Sequence, residues 1–234
     1  MSNTYNFINS AVGGHELGGI VTGACVGGLL IAIGFVAVKN LKSATNPLLP
    51  DTSFSARNFI EVFLEGIVQL GDMVMGRDNR KYIPFVASLF LFLFLSNLVG
   101  LVPGFVMPTD NVKFNLGIAL LVFILYNFWG MKEVGFLGYL KHMWGPIWWV
   151  GPLLFPIEII SHVVRPFSLS LRLYGNMTGD HLAVSVFTDL TKAGIPVIFY
   201  LLGTFVCLIQ AFVFTLLTMV YIRLAVVHED SHSH

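Results

Sequence analysis

The chain has 234 residues, of which 56% are hydrophobic and only 11% are charged, and its mean hydropathy is +0.79. Because an ordinary soluble domain carries roughly 25% charged residues, this composition excludes a soluble protein and predicts an all-α polytopic membrane protein in a lipid bilayer. The formal charge at pH 7 is +0, so no basic excess would attract nucleic acid. The two cysteines, Cys25 and Cys207, lie in apolar runs without metal-ligand spacing, and neither a metal nor a cofactor is expected.

The first apolar run, residues 17–39, predicts a membrane span. No Lys or Arg precedes it, whereas a secretory signal begins with a positive region, so the run is interpreted as a retained span. Residues 54–76 follow a polar loop and place apolar side chains at near-helical spacing, with charged residues between them. This pattern predicts an amphipathic helix in the membrane interface, and a soluble linker helix is the alternative.

The rest of the chain predicts two pairs of helices. Residues 82–130 contain two apolar runs, Tyr82 to Val102 and Asn115 to Trp129, which would form a helical hairpin. Residues 152–227 contain two segments that each exceed the roughly 20 residues of a perpendicular span, so they are expected to be tilted, kinked or partly interfacial. The polar, His-rich end is interpreted as a solvated terminus rather than a metal site. A single membrane domain, residues 1–234, with about five membrane helices and one interfacial helix is therefore expected.

Basic residues predict the orientation, because cytoplasmic loops are rich in Lys and Arg. The loops after the first and third predicted spans carry eight of them: Lys39, Lys42, Arg57, Arg77, Arg80, Lys81, Lys132 and Lys141. The opposite loops carry only Lys113 and Lys192. The amino terminus is therefore expected outside, and the carboxyl terminus, after Arg223, in the cytoplasm.

A stripe of polar residues runs along the first of the two long segments. Glu158, Arg165 and Arg172 are seven residues apart, which places them on nearly the same face of a helix. Polar residues at the three-and-four offsets flank this series: Ser161, His162, Ser168 and Asn176. The stripe is about 27 Å long at 1.5 Å per residue, comparable with the hydrocarbon thickness of a bilayer.

Arg172 is the residue that demands an explanation. An arginine at the centre of a span costs roughly 2.5 to 3.5 kcal/mol or more, and its pKa is too high for it to lose the proton. Glu158 can pair with Arg165 but is too far along the helix to reach Arg172. Arg172 is thus either a snorkelling structural charge or, as we expect, a functional counter-charge. Gln210 of the last segment is expected either to bond to Arg172 or to satisfy a backbone carbonyl.

Five strings of residues resemble subunit a of the bacterial F-type ATP synthase. SLSLRLYGNMTGDH is similar to its arginine-bearing segment, and IQAFVFTLLTMVYI to its closing helix. The same subunit is similar in three further strings: FLSNLVGLVPG, the PTDNVKFNLGIAL that follows it, and PIEIISHVVRPFSLSLRL. The resemblance covers Tyr82 to Ile222, in the right order and spacing. It implies a non-catalytic stator subunit of the bacterial inner membrane, beside a rotating ring of c subunits, the b subunit stalk and the rest of the synthase complex.

The resemblance also implies roles for individual residues. Arg172 would be the essential arginine of the family, which separates two proton half-channels, and Gln210 and Asn176 would lie where the family keeps its glutamine and asparagine. The inner half-channel would pass Glu158 and His162. The outer half-channel would pass Asp180 and His181. Ser168 would face the ring. Proton is the default ion, although a sodium site would be built largely on the ring.

Two positions depart from the family pattern. His181 stands where many bacterial relatives have glutamate, and Gly203 stands where they have the facing histidine. The sequence therefore lacks the family's pair of a glutamate and a facing histidine at these two positions. Asp180 is expected to supply the acidic group of the outer half-channel.

Two other functions compete with this interpretation. A secondary transporter for a small anion could use Arg172 as a counter-charge, but it predicts internal repeats that the sequence lacks. A haem-binding electron-transfer subunit could use His142, His162 and His181, but these do not form two same-face pairs on two helices.

Overall fold

The computed structural model describes residues 15–43, 56–102, 107–135, 138, 149, 151–190 and 195–226. These residues form six α-helices, two short 3-10 helices and no strand. The α-helices are α1 His15–Ser43, α2 Ala56–Met75, α3 Ile83–Gly100, α4 Val112–Val134, α5 Gly151–Leu190 and α6 Ile195–Val226. All but α2 are long and apolar enough to cross a membrane, which confirms the predicted all-α polytopic fold.

The predicted helix positions agree with the structure, and the ends differ for a physical reason. The apolar run predicted from Asn115 to Trp129 belongs to α4, which extends further at both ends. It begins after Asn111, whose side chain accepts a hydrogen bond from the backbone N–H of Lys113 at 2.9 Å, and it ends before Gly135, which has φ of 77°. Polar residues in the terminal turns continue the helix into the headgroup region, so an apolar run underestimates its length.

Helices α3, α4, α5 and α6 form the packed core of the protein. Its fully buried side chains come from all four helices and include Leu93, Val122, Leu173, Met177, Phe214 and Met219. Helix α1 lies at the edge, against α3 and the short helix Pro108–Asp110, and α2 packs beside the end of α6. Helix α5 contacts both α4 and α6, which also contact each other, so its buried side faces these two helices.

Charged residues join the helices at one end of the bundle, which we call the charged end. Lys81 forms an ion pair with Glu133, and Arg223 donates a hydrogen bond to the backbone carbonyl of Val74 at 2.8 Å. Arg80 makes two hydrogen bonds to Asp72, at 2.9 and 2.6 Å. These bonds from the guanidinium hold the pKa of the Asp72 carboxyl below its ordinary value.

Some sequence-based predictions lie outside the described residues. They include the nature of the His-rich terminus and the positions of Lys141, His142 and Lys192. The side chains of Lys39, Lys42 and Arg57 lie outside them as well.

Candidate functional site

Arg172 is exposed on α5, on the helix face that carries the polar stripe, and exposed apolar side chains lie around it. On the helix surface beside this stripe, Val164, Phe167 and Leu171 are 52%, 54% and 57% exposed. No hydrogen bond or ion pair to the guanidinium is found within the part of the chain that the structure describes. An exposed cation among apolar side chains on a membrane span needs an anionic partner, because lipid tails cannot solvate it. Within the described residues, the chain does not supply that anion.

Asn176 and Gln210 connect α5 to α6 one turn beyond Arg172. The side-chain amide of Asn176 donates to Gln210 Oε1 at 2.6 Å. Gln210 is 2% exposed, and its Nε2 has no hydrogen-bond partner among the described residues. Gln210 therefore bonds to a neighbour of Arg172, and not to the guanidinium or to a backbone carbonyl as the sequence suggested.

Five side chains form a group that we call the Glu158 cluster: Glu158, His162 and Arg165 from α5, Tyr126 from α4 and Tyr221 from α6. Glu158 Oε1 is 3.5 Å from Arg165 Nη2, which confirms the ion pair predicted from their spacing. The same carboxylate oxygen is 3.4 Å from His162 Nε2. One carboxylate is thus shared by a permanent cation and a titratable ring.

The two tyrosines close the Glu158 cluster from neighbouring helices. The Tyr126 hydroxyl is 3.4 Å from His162 Nδ1. The guanidinium of Arg165 lies 5.3 Å from the ring centroid of Tyr221, within the range of a cation–π contact, and the two tyrosine rings are 5.9 Å apart. Sequence reasoning places Tyr221 in a weaker polar stripe of the last segment, but it missed Tyr126, because the helical spacing of Tyr126 is that of an ordinary core residue.

Asp180 faces Gly203 across the interface between α5 and α6. A Cβ atom built on Gly203 would lie 2.5 Å from Asp180 Oδ2, so the carboxylate occupies the space that any other residue would need. The backbone of His181 belongs to α5, but its side chain lies outside the described residues. Of the two predicted outer residues, the structure therefore positions the carboxylate of Asp180 only.

A second polar group, the Asn97 cluster, lies where α3, α4 and the short helix Pro108–Asp110 meet. It consists of Ser96, Asn97, Thr109 and Asn115. Thr109 Oγ1 donates to Asn97 Oδ1 at 2.8 Å, and the amide of Asn115 donates to the carbonyl of Thr109 at 2.7 Å. Buried atoms of Ser96, Asn97 and Asn115 have no further partner among the described residues. Such atoms usually bind ordered water, so this group has the chemistry of a hydrated site.

The Asn97 cluster is linked to α5 through Asp110, which follows Thr109 in the sequence. The hydroxyl of Thr178 on α5 donates to Asp110 Oδ1 at 3.1 Å. These polar residues stand within strings that resemble the family, but their spacing alone did not distinguish them from helix caps and loop residues.

The polar residues of α5 fall into an ordered series. Glu158 lies about 21 Å before Arg172 and Asp180 about 12 Å after it, at 1.5 Å per residue. Ser168 is exposed beside the arginine, and Ser161 is half-buried near His162. Pro166 lies inside α5 and has no N–H to donate to the carbonyl of His162, which frees one backbone acceptor between Glu158 and Arg172. The arginine thus separates two polar groups on one helix.

Comparison with known proteins identifies the family. A family model described as ATP synthase A chain matches residues 20–223. A protein named ATP synthase subunit a, from Bdellovibrio bacteriovorus, is 45% identical over 216 residues, which cover 92% of this chain and 94% of that protein. Proteins of the same name from Geobacter sulfurreducens and Campylobacter jejuni are 43% and 41% identical, over 83% and 87% of this chain and 81% and 89% of theirs. The chain belongs to the subunit a family of the ATP synthase, a multi-pass component of the membrane sector of that complex.

Proposed function

We propose that this subunit is the non-catalytic stator that couples proton passage to rotation of a ring of c subunits during ATP synthesis. The observation that carries the proposal is Arg172, an exposed cation among exposed apolar side chains of α5 that lacks an anionic partner within the described residues. A ring whose subunits each carry a membrane carboxylate supplies such an anion at every step of rotation.

The arginine acts as an electrostatic barrier between two half-channels. Its fixed charge repels protons between them and favours the ionised form of a ring carboxylate that passes it. At roughly 4 Å and an effective dielectric constant near 20, this attraction is about 4 kcal/mol before desolvation. The interaction is strong enough to favour ionisation and weak enough to release the carboxylate. Gln210 and Asn176 brace the helix pair beside the arginine through their hydrogen bond.

The two polar groups on either side of Arg172 serve the two half-channels. Protons enter past the Asn97 cluster, Asp180 and His181, and bind a ring carboxylate. They leave past the Glu158 cluster and Ser161 after the ring has turned. The unpaired buried polar atoms of the Asn97 cluster support a hydrated route on the outer side.

The orientation follows from the distribution of basic residues, with the amino terminus outside a bacterial inner membrane and the carboxyl terminus in the cytoplasm. The membrane potential then contributes about 2.3 kcal/mol per proton for each 100 mV. The charged end of the bundle faces the cytoplasm, on the side where the b subunit stalk and the catalytic sector of the complex stand.

Replacement of Arg172 tests the proposal. In Arg172→Ala the barrier is lost, so we expect the assembled complex to make no ATP and its vesicles to leak protons passively. Arg172→Lys should fail as well, because a compact ammonium is more strongly hydrated, lacks the planar fork and can lose its proton. Proton leak and ATP synthesis are measured in membrane vesicles, after immunoblotting has shown that the synthase assembles.

Arg77→Ala is the matched control, because it removes the same charge from an exposed position at the charged end. We expect it to leave coupling intact. Normal ATP synthesis in assembled Arg172→Ala complexes would show that Arg172 is only a structural charge and would refute the proposed mechanism.

A further inference from the structure

A hydrogen bond joins the loop end of the α3 and α4 hairpin to α5, and the mechanism above gives it no task. The hydroxyl of Thr178 on α5 donates to Asp110 Oδ1 at 3.1 Å. Thr178 stands between Arg172 and Asp180 in the sequence, two residues before the aspartate. The bond therefore reaches α5 in the segment that joins the arginine barrier to the outer acid of the proposed mechanism.

Asp110 belongs to the short helix Pro108–Asp110, which is anchored to both helices of the hairpin. The central residue of this helix, Thr109, is fully buried, and its hydroxyl donates to Asn97 of α3 at 2.8 Å. Its carbonyl accepts from the amide of Asn115 on α4 at 2.7 Å. Because α3 and α4 both hold the short helix, the Asp110 carboxylate meets α5 from a fixed position.

Thr178 and Asp180 face different neighbours of α5. Successive residues of an α-helix are about 100° apart around the axis, so these two side chains lie about 200° apart. Thr178 meets the hairpin, whereas Asp180 meets α6, where a Cβ built on Gly203 would lie 2.5 Å from its Oδ2. A roll of α5 about its axis that breaks one of these contacts must also change the other.

The other hydrogen bond of this segment lies on the α6 side. Asn176 donates to Gln210 of α6 at 2.6 Å, and residues four apart share a helix face, so Asn176 and Asp180 both point toward α6. Contacts on one side alone would leave α5 able to pivot on α6. The bond from Thr178, on the far side of the helix, opposes this motion.

We infer that Thr178 and Asp110 are positioning residues of the outer half-channel: their hydrogen bond fixes the roll of α5 that directs the Asp180 carboxylate at Gly203. The inference rests on the proposed function, since it requires Asp180 to lie on the proton path. Neither Thr178 nor Asp110 needs to carry a proton. Asp110 serves as a hydrogen-bond acceptor, a task that an amide oxygen can also perform.

Thr178→Val tests the inference, because it removes the hydroxyl and keeps the shape of the side chain. The rate of ATP synthesis is measured in inverted membrane vesicles under an imposed proton gradient, and it is divided by the amount of assembled synthase on immunoblots. We expect the rate to fall roughly two- to tenfold, the range that corresponds to the net contribution of one hydrogen bond. Thr178→Ser keeps the hydroxyl and should restore most of the rate.

Thr22→Val is the matched control. The hydroxyl of Thr22 donates to the carbonyl of Gly18 on its own helix, α1, at 2.9 Å. This change therefore removes a threonine hydroxyl without breaking a bond between helices, and the rate should equal that of the wild type. A wild-type rate for Thr178→Val, or an equal loss for Thr22→Val, overturns the inference.

Variants of Asp110 distinguish positioning from proton transfer. Asp110→Asn keeps an oxygen that can accept from Thr178 but has no carboxyl group to exchange a proton, and we expect it to retain most of the rate. Asp110→Leu should lose as much as Thr178→Val, with no further loss in the double variant, because both changes break the same bond. Equal losses in Asp110→Asn and Asp110→Leu would show that the carboxylate itself is required and would refute the positioning role.

Gly203→Ala separates positioning from a general loss of stability. Its methyl group takes the space of the Asp180 carboxylate, so Thr178→Val should cost little more in this background, whereas two independent losses would multiply. Losses that multiply, while Arg172→Ala has lost coupling, refute the inference and leave the proposed function standing. Normal coupling in Arg172→Ala contradicts the proposed function, on which the inference depends.

Discussion

At the scale of single residues, Asp180 and Gly203 illustrate how two positions on different helices depend on each other. The Asp180 carboxylate fills the volume beside Gly203, and the side chain of Leu101 closes the same space, 2.9 Å from where a Cβ would stand. A facing histidine on α6 is therefore sterically incompatible with the carboxylate in this position. The acid on α5 and the glycine on α6 form one arrangement, which supports Asp180 as the outer proton-binding residue that we propose.

Replacing Gly203 by Ala should disturb this arrangement directly. The added methyl group would occupy the space of the Asp180 carboxylate, so the carboxylate would have to move. Overpacking a filled site of this kind costs about 1–3 kcal/mol. We expect proton-driven ATP synthesis in vesicles to fall roughly fivefold or more, while the complex still assembles. Gly117→Ala is the control, because a Cβ there meets nothing within 4 Å. Equal rates in the two variants would show that the position of Asp180 is not important for the outer path.

At the scale of the helices, glycine controls how α1 docks on the bundle. A Cβ on Gly23 would lie 2.7 Å from the ring of Phe114 at the start of α4, whereas a Cβ on Gly28 would meet nothing within 4 Å. The hydrophobic effect does not drive helices together within lipid, so their association depends on close van der Waals packing. Small residues at the contact allow two helices to approach closely enough for such packing. One face of α1 therefore packs on the bundle, and the opposite face remains exposed, as at Ile31 and Phe35.

A size exchange tests this contact. Gly23→Leu should lower the thermal unfolding midpoint of the detergent-purified synthase and the amount of subunit in the membrane, because the Phe114 ring already occupies the space. Adding Phe114→Ala should restore most of the loss by opening room for the leucine. Gly28→Leu should behave as the wild type. Failure of the double variant to recover would mean that Gly23 is needed for a reason other than packing against Phe114.

The helices could be predicted from the sequence because long apolar runs are a strong signal, and the Glu158–Arg165 pair because both residues lie on one helix. Contacts between helices could not be predicted in the same way. Helical spacing identifies which residues share a face but not which neighbour that face meets, so the partners of His162 and Gln210 required the structure. The Asn97 cluster was missed for a further reason, because short polar residues near helix ends usually read as caps.

At the scale of the whole molecule, the two ends of the bundle differ in charge. The charged end holds Arg80, Lys81 and Arg223, which pair with acidic side chains or with a backbone carbonyl of a neighbouring helix. At the opposite end, the described residues include one basic side chain, Lys113, beside the neutral Asn97 cluster. Because basic residues are generally retained on the cytoplasmic side, this difference predicts that the charged end faces the cytoplasm.

Labelling of single cysteines tests the orientation that follows. In a background with Cys25→Ala and Cys207→Ala, two exposed positions report on the two ends: Asp78 at the charged end and Val112, 40% exposed, at the other. We expect an impermeant maleimide to label Val112→Cys in spheroplasts, whose external face is the periplasmic side, and Asp78→Cys only in inverted vesicles. Labelling of both positions after detergent treatment controls for accessibility. The reverse pattern would place the amino terminus in the cytoplasm, and the Glu158 cluster would then lie on the outer side of the membrane, where protons enter during synthesis.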